Sequence, residues 1–429
     1  MSANVSSPPV EEHPSLLQRQ GIEPVLKWGF LAVALFMVGD GLEQGFLSPY
    51  LTSTGFTVGQ VATLFSVYGA VVAVSSWLAG ALSDAWGCKR VMMIGFIIWV
   101  AFHVVFLGLG VGAHNYPWML VSYGIRGVGY PFFAYGFLVW VTLQTPRRSM
   151  GKAVGWFWFC DTVGFGVISG YLAGFGIPVV GMLGTLWLSL IFVGAGGIIA
   201  FALLHEAKTG TRVSVGSAVS SALESFKLMA ERPKVGIGGL VRVINTTSLY
   251  AFGVYMTVYM TQNVGFSATK WQSIWATMLF ANVLGNLFFG YLGDKLGRVN
   301  VVAWIGGLGC FVTVAAMYYV PQWVGANYPL VLLVSILYGL CLSAYVPLSA
   351  IMPALAPERK ALAVSVLNLG AGLSNFIGPA IVSLFIAPLG MVGVNWIIAG
   401  LYIVSLLLTL VLRSPAVEVR DTGEEAEAA

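Results

Sequence analysis

The architecture of this chain follows from a short stretch that occurs twice. The first copy reads Gly80-Ala81-Leu82-Ser83-Asp84-Ala85-Trp86-Gly87-Cys88-Lys89-Arg90, and the second reads Gly290-Tyr291-Leu292-Gly293-Asp294-Lys295-Leu296-Gly297-Arg298. The offset is the same from 80 to 290, from 84 to 294 and from 87 to 297, and it is close to half of the 429 residues. A shorter pair, Gly55-Phe56-Thr57 and Gly265-Phe266-Ser267, has the same offset, and Thr57 and Ser267 are expected to cap helices. The chain is therefore predicted to contain two halves with the same internal order.

The sequence around both copies is strongly apolar. Of all residues, 58% are hydrophobic and only 9% are Asp, Glu, Lys or Arg, whereas soluble domains carry about 25% charged residues. This composition excludes a soluble fold, and it excludes intrinsic disorder, which requires low hydrophobicity. The apolar residues form long runs, unlike the alternating segments of membrane β-barrels. We therefore predict a polytopic all-α membrane protein.

Twelve apolar runs have the length of membrane-spanning helices. A helix that crosses the bilayer needs about 20 predominantly apolar residues. The predicted spans are 27–48, 61–82, 91–112, 117–143, 153–175, 180–204, 235–262, 271–292, 300–320, 328–352, 361–387 and 391–412. The longest interruption is polar and follows the sixth span. The predicted organisation is an N-terminal tail (1–26), a six-helix bundle (27–204), a linker (205–234), a second six-helix bundle (235–412) and an acidic C-terminal tail (413–429).

The basic residues predict the orientation, because cytoplasmic loops carry an excess of Lys and Arg. We place both tails, the linker and the even-numbered loops in the cytoplasm. Of the 21 Lys and Arg residues, all but three then lie on the cytoplasmic side. Lys270 lies outside, and Arg126 and Arg242 lie within spans. The N-terminus lacks the layout of a cleaved signal peptide, so the first span is expected to stay in place. We expect a multi-pass monomer in the cytoplasmic (inner) cell membrane, with both termini cytoplasmic.

The repeated stretch resembles the signature between spans 2 and 3 of the major facilitator superfamily. This resemblance implies two six-helix bundles, related by an axis along the membrane normal, with the substrate path between them. It also implies a cytoplasmic gate in which aspartates latch against basic residues and a neighbouring helix terminus. The candidate gate residues are Gly80, Asp84, Gly87, Lys89, Arg90, Gly290, Asp294, Gly297 and Arg298. The alternative is that the basic residues only fix the topology.

Three further stretches resemble the bacterial polyol permeases, which import ribitol and D-arabinitol. They are Phe36-Met37-Val38-Gly39-Asp40-Gly41-Leu42-Glu43-Gln44-Gly45-Phe46-Leu47-Ser48, then Tyr123-Gly124-Ile125-Arg126-Gly127-Val128-Gly129-Tyr130-Pro131, and Gly155-Trp156-Phe157-Trp158. The resemblance implies a secondary active transporter that imports a small polyol by proton symport and alternating access. Which polyol it takes stays open.

Charged residues inside predicted spans are costly in lipid, so they mark functional sites. They are Asp40, Glu43, Arg126, Asp161 and Arg242. Three acids against two bases leave one carboxylate without a permanent partner, as a proton carrier requires. Asp40, Glu43 and Gln44 share one helix face, and the family resemblance implies that Arg126 pairs with one of the two acids. We predict proton coupling by Asp40, Glu43 and Arg126, with Asp161 as the alternative proton site. A static ion pair that only fixes helix packing is the other interpretation.

A polyol offers only hydroxyl groups. Its site therefore needs carboxylate and amide acceptors, arginine and amide donors, and aromatic faces. The candidate substrate-binding residues are Asp40, Gln44, Arg126, Tyr130, Trp156, Asp161, Arg242, Asn245, Asn282, Asn286 and Asn375. Asn375 has in span 11 the place that Asp161 has in span 5, and each asparagine alone is compatible with a helix–helix hydrogen bond. His103 is expected to be structural, because the sequence gives it no charged partner.

Several other functions are excluded by absent motifs. No Walker motif is present, so the chain alone does not hydrolyse ATP, and no zinc-protease or nucleophile-elbow motif indicates an enzyme. We expect no catalytic residues, no metal, no cofactor and no nucleic-acid partner; the expected partners are a polyol, protons and the lipid bilayer. Three alternatives remain: an organic-anion symporter in which Arg126 and Arg242 clamp carboxylates, an uncoupled polyol facilitator, and a receptor. The excess of buried acids disfavours an anion site, and the matched gate stretches disfavour a receptor.

Overall fold

The structure is a computed structural model that describes residue 17 and residues 22–146, 149–206 and 215–414. Nearly all of this part is helical, and it contains no β-strand. Most of both predicted tails and part of the linker lie outside the described residues. The side chains of two predicted gate residues, Asp84 and Asp294, also lie outside what the structure describes.

The first half contains eight helices in the described residues. They are α1 (Lys27–Gly41), α2 (Leu47–Ser53), α3 (Val58–Trp86), α4 (Cys88–Val105), α5 (Tyr116–Arg126), α6 (Gly129–Gln144), α7 (Met150–Thr162) and α8 (Ser169–Leu203). Wider π-helical turns continue α4 through Phe106–Val111 and join α7 to α8 through Val163–Ile168.

The linker and the second half contribute the remaining helices of the described part. They are α9 (Val215–Glu231), α10 (Pro233–Ala251), α11 (Ala268–Leu296), α12 (Arg298–Asn300), α13 (Gly309–Val324), α14 (Tyr328–Ser343), α15 (Leu348–Leu355) and α16 (Lys360–Val411). Further π-helical turns occupy Phe252–Met256, Tyr259–Asn263 and Val301–Leu308, and Pro357–Arg359 form a 3₁₀ turn.

Two of these helices, α8 and α16, change direction at a glycine. Gly181 has φ +75° and Gly390 has φ +65°, which are left-handed conformations that favour glycine. The Cβ position of Gly176 lies only 3.2 Å from Thr185 Oγ1, although residues so far apart in a straight helix are separated by about 13 Å. The chain therefore folds back at Gly181. These two kinks lie close to the predicted boundaries between spans 5 and 6 and between spans 11 and 12.

Matching turns and caps recur in both halves. Thr57 accepts a hydrogen bond from the Gln60 backbone N–H at 3.2 Å, and Ser267 accepts one from Lys270 at 3.3 Å, so both predicted N-caps are confirmed. The preceding glycines, Gly55 and Gly265, have positive φ. We call this end of the molecule the Gly55 end, and the end that carries the turns at Gly87 and Gly297 the Gly87 end.

Six helical segments in the described residues are long and apolar enough to cross a membrane. They are Val58–Ser83, Cys88–Val111, Lys152–Leu203, Arg298–Val324, Tyr328–Leu355 and Leu362–Val411. Two of them, Lys152–Leu203 and Leu362–Val411, contain the folds at Gly181 and Gly390, and each exceeds the length that one crossing requires. The total of twelve spans and the cytoplasmic position of the termini stay predictions.

The two halves are hydrogen-bonded to each other at the Gly55 end. Ser48 Oγ donates to the Val254 carbonyl at 2.7 Å, and the hydroxyl groups of Thr63 and Ser383 lie 2.7 Å apart. Deeper in the molecule, the Cβ position of Gly69 lies 2.1 Å from the Asn375 carbonyl oxygen, so only glycine permits this approach. This end of the interface is closed.

The predicted linker contains an amphipathic helix, α9, that contacts both halves near the Gly87 end. The Phe226 ring lies 6.4 Å from Trp77 of α3. Glu231 accepts a hydrogen bond from Arg359 at 2.6 Å, and this bond lowers the pKa of the exposed Glu231 carboxyl group. The linker is therefore a structured strap between the halves in its described part.

Candidate functional site

A buried ion pair joins the first and fourth predicted spans. Arg126 Nη1 donates to Glu43 Oε2 at 2.9 Å, and Nη2 contacts Oε1. Glu43 lies in the break between α1 and α2, where the chain tightens through bonds such as Gln44 N–H to Gly41 O at 3.1 Å. Arg126 is the last residue of α5. The sequence left open which acid of span 1 pairs with Arg126, and the structure brings it to Glu43.

Aromatic rings surround the Arg126 guanidinium. Its carbon lies 4.4 Å from the ring centre of Tyr123, 5.0 Å from Trp99 and 5.3 Å from Tyr68. Each such cation–π contact contributes about 2 kcal/mol or more when it is desolvated. Tyr123 also donates its hydroxyl to Glu43 at 2.7 Å. The pair is thus fixed on several sides, as a buried pair must be to offset its desolvation.

Asp40 is buried beside this pair and has different partners. Trp99 Nε1 donates to Asp40 Oδ1 at 2.6 Å, and the Tyr68 hydroxyl lies 3.5 Å from the same oxygen. No Lys or Arg of the described residues forms an ion pair with it. Asp40 is therefore a buried carboxylate without an ion-pair partner in the described part of the chain.

His103 has a charged neighbour that no sequence pattern indicated. Its Nδ1 lies 2.6 Å from Arg126 Nη1, and its Nε2 lies 2.8 Å from Ser189 Oγ. The residues sit on α4, α5 and α8, and no sequence spacing links them. Tyr68, Tyr123 and Trp99 were missed as well, because aromatic residues in an apolar span resemble ordinary packing residues.

A small polar cavity of about 40 Å³ lies between the halves. It is lined by Met37, Asp40, Gln44, Tyr68, Tyr130, Asp161, Phe165, Tyr250 and Asn375. Five of these were predicted as substrate-binding residues from the sequence: Asp40, Gln44, Tyr130, Asp161 and Asn375. Asp161 Oδ1 is buried and has no hydrogen-bond partner among the described residues. The volume admits water but not a drug-sized ligand, for which pockets measure roughly 300 Å³ or more.

The other predicted substrate-binding residues lie outside this cavity lining. Asn282 donates to the Gly339 carbonyl at 3.1 Å, which is the helix–helix bond that was the alternative interpretation. Trp156 is 37% exposed. Asn245, Asn286, Arg126 and Arg242 also do not line the cavity. Arg242 lies within electrostatic range of Tyr130, Tyr135 and Tyr250, and it forms no ion pair with a carboxylate in the described part of the chain.

Equivalent positions of the two halves meet in the cavity but differ in charge. Asp161 and Asn375, which correspond in sequence, both line it, and so do Asp40 and its counterpart Tyr250. Tyr338 stands where the first half has Arg126, counted from the helix caps Asn115 and Asn327. Neutral hydroxyl groups replace the ion pair there.

Two of the predicted gate residues, Gly87 and Gly297, form sharp turns at the Gly87 end, whereas Gly80 and Gly290 lie within α3 and α11. Gly87 has φ +95° and Gly297 has φ +90°. Lys89 Nζ donates to the Leu204 carbonyl at 2.5 Å and to that of Phe201 at 2.8 Å, at the end of α8. Glu206 in turn accepts bonds from the Cys88 and Lys89 N–H groups, at 2.8 and 3.1 Å, so these contacts join the turn to the end of α8 and to the first residues of the predicted linker. Whether the stretch forms a gate stays a prediction.

Within the described residues, no group of three or more His, Cys, Asp or Glu side chains is arranged to hold a metal ion. The chemistry that the site offers is hydrogen bonding and proton exchange. It has one carboxylate locked to an arginine, two further carboxylates on a shared cavity, and several hydroxyl and amide groups beside them.

Comparison with known proteins places these features in context. The family described as the Major Facilitator Superfamily matches residues 29–237 and 238–429. An alpha-ketoglutarate permease of Bacillus subtilis (strain 168) is 44% identical over 92% of this chain and 91% of that protein. A ribitol transporter and a D-arabinitol transporter of Klebsiella pneumoniae are each 37% identical over 92% of this chain and 93% of those proteins. The structure of the human organic anion transporter MFSD10 (TETRAN) aligns with a TM-score of 0.62 at 15% identity, covering 92% of this chain and 100% of that one.

Proposed function

The chain belongs to the Major Facilitator Superfamily, and from this premise we propose that it imports a small polyol, such as ribitol or D-arabinitol, by proton symport. It is a multi-pass membrane transporter and not an enzyme. The observation that carries the polyol proposal is the cavity lining, which combines carboxylate, amide and tyrosine hydroxyl groups. Each polyol hydroxyl is both a donor and an acceptor, so such a lining satisfies it on both sides.

Proton coupling is proposed for the carboxylates of the cavity. Asp40 and Asp161 share a small space and repel each other when both are charged, so the binding of one proton relieves the repulsion. Glu43 stays bound to Arg126 in this conformation. One proton leaves the cavity with one negative charge in place of two, and the neutral polyol adds none, so the halves move past the cavity with less charge to carry through a low dielectric.

The closed Gly55 end is proposed to face the outside of the inner cell membrane, with twelve spans and both termini cytoplasmic. In the proposed cycle, this conformation precedes or follows release at the Gly87 end. Opening of the Gly55 end would enlarge the cavity enough to admit a polyol. The transporter is proposed to act as a monomer.

A dicarboxylate is the second candidate substrate, because of two observations. Arg242 lies near the cavity without an ion-pair partner in the described residues, and a relative at 44% identity is an alpha-ketoglutarate permease. Arginine binds carboxylates bidentately. Two acids in the cavity lining oppose this candidate, since both must be protonated before a dianion is accepted.

The test is uptake into liposomes that contain the purified protein. Labelled ribitol, D-arabinitol and alpha-ketoglutarate are supplied with and without an inward proton gradient. We expect accumulation of a polyol that a protonophore abolishes. Equilibration without accumulation would refute symport, and uptake of alpha-ketoglutarate alone would refute the polyol.

Two substitutions separate the candidates. Asp161→Asn keeps the shape of the side chain but removes the proton site, so we expect gradient-driven polyol accumulation to fall at least tenfold while counterflow exchange persists. Arg242→Gln is expected to lower polyol uptake by less than tenfold. A dicarboxylate carrier would instead lose about ten- to a hundredfold with Arg242→Gln, since a charged hydrogen bond contributes about 1.5–3 kcal/mol.

A further inference from the structure

The geometry around His103 determines where its ring carries the proton. The ring is buried and stacks on Trp99 at 4.4 Å. Arg126 Nη1, 2.6 Å from Nδ1, is always charged and can only donate. Nδ1 must therefore be the acceptor of that hydrogen bond, and it carries no proton.

The opposite edge of the ring is consistent with this tautomer. Nε2 lies 2.8 Å from Ser189 Oγ and 3.2 Å from the Leu186 carbonyl oxygen. Ser189 donates its own hydroxyl to that carbonyl at 2.6 Å, which leaves the serine oxygen free to accept. Nε2 therefore carries the proton and donates a hydrogen bond toward α8. In a neutral imidazole one nitrogen accepts and the other carries the proton.

We propose that His103 is a positioning residue, whose neutral ring with the proton on Nε2 holds the Arg126 guanidinium toward Glu43. The inference rests on the proposed proton symport, since it assigns the residue that keeps Arg126 paired. A second proton, added at Nδ1, would make the ring an imidazolium and place it 2.6 Å from the guanidinium of Arg126. Both cations cannot keep this contact in a low-dielectric interior, so Arg126 must then move and release Glu43.

Several other titratable groups surround this contact and are part of its balance. They are Asp40 in α1, Glu43 just after α1, Tyr68 on α3, and Tyr123 and Arg126 on α5. From α8, the described contacts of His103 are only the neutral Ser189 hydroxyl and the Leu186 carbonyl. Among these groups, only the charge of Arg126 opposes a second proton on the ring. The carboxylates of Glu43 and Asp40 favour it.

Two variants separate the acceptor from the donor function. In His103→Asn the amide oxygen takes the place of Nδ1 and still accepts from Arg126. In His103→Gln the amide nitrogen takes the place of Nε2, which keeps the bond to Ser189 and removes the acceptor. We expect gradient-driven accumulation to fall about tenfold or more in His103→Gln, the usual effect of losing a hydrogen bond to a charged group, and to be retained in His103→Asn. His114→Asn, an exposed histidine with φ +50°, is the matched control.

A spectroscopic measurement tests the inference without transport. The chain has 4 histidines, so ring-labelled histidine gives few NMR signals, and the signal missing from His103→Asn identifies His103. We expect a neutral ring with the proton on Nε2 at pH 7.5. An Nδ1-protonated or charged ring would overturn the proposal, as would unchanged coupling in His103→Gln. If the protein proves uncoupled, the NMR result still decides which ring nitrogen carries the proton. Failure of the proposed symport can therefore be distinguished from failure of this inference.

Discussion

The buried amide of Gln272 is expected to destabilise the closed Gly55 end. Gln272 is fully buried at the beginning of α11, and neither Oε1 nor Nε2 has a hydrogen-bond partner among the described residues. It is held against the first half, where the Cβ position of Gly45 lies 2.5 Å from both amide atoms. In the transport cycle proposed above this end opens, and water can then solvate the amide. The closed conformation thus bears a cost that the open one does not.

Gln272→Met removes both unsatisfied atoms and nearly preserves the shape of the side chain. An unsatisfied buried polar group costs about 1–3 kcal/mol. The substitution should therefore stabilise the closed state by about that amount, which shifts the ratio of open to closed molecules by about 5- to 150-fold.

The assay is the labelling of a buried cysteine that only opening exposes. Ser48→Cys, at a fully buried position of the closed interface, is introduced into a background without the four native cysteines. The labelling rate by a membrane-impermeant maleimide then follows the open fraction. We expect Gln272→Met to slow it at least fivefold.

A second glutamine at the same end gives the matched control. Gln262 donates to Thr52 Oγ1 at 2.7 Å across the interface, so Gln262→Met removes a hydrogen bond that is made, worth about 0.5–1.5 kcal/mol. Its labelling should become a few-fold faster. If Gln272→Met labels as fast as the parent while Gln262→Met behaves as expected, the amide of Gln272 is not an opening force and the argument is wrong.

Two further predictions concern closure of the cavity and the linker strap. In Gly69→Ala the added methyl would lie 2.1 Å from the Asn375 carbonyl oxygen, so the interface should fail to close, with faster labelling of the same reporter and at least tenfold slower transport. Gly400→Ala, whose Cβ would meet nothing within 4 Å, should change neither, and equal effects would contradict the steric reason. The hydrogen bond from Arg359 lowers the pKa of Glu231 from 4.5. Its contribution to the docking of α9 is therefore fully present above pH 4.5, and it is lost as the pH falls through the lower pKa that Glu231 has in the docked state. Hydrogen exchange of α9 should rise over that interval in the parent but not in Glu231→Gln, and identical profiles would show that this bond does not hold the strap.

Local features of this fold are predictable because they depend on neighbours in sequence. Thr57 needs only Gln60, three residues further on, to form its cap. The intramembrane charges are conspicuous because they are rare in apolar spans, and this rarity is why the sequence indicates Asp40, Glu43 and Arg126 as candidates for a site.

The partners of those charges could not be predicted, because they depend on the rotation and depth of separate helices. His103 and Ser189 lie on α4 and α8, and a rotation of either helix by one residue, about 100°, would remove their contact. Trp99 donates to Asp40, yet its sequence context is that of any tryptophan in a span. The same limit explains why Asn282 was expected at the substrate but binds the Gly339 carbonyl.

The asymmetry of the two halves bears on where coupling can occur. The second half replaces the ion pair by neutral groups: Ser248 and Tyr338 share a hydrogen bond of 2.5 Å, and Tyr402 donates to the Asn245 carbonyl at 2.7 Å. Hydroxyl groups such as these do not change charge at physiological pH. Under the proposed function, proton binding therefore alters the interior of the first half alone. The second half lines the cavity with Tyr250 and Asn375, which stay neutral, so the free energy that a proton supplies must be transmitted across the cavity and not through matched sites in both bundles.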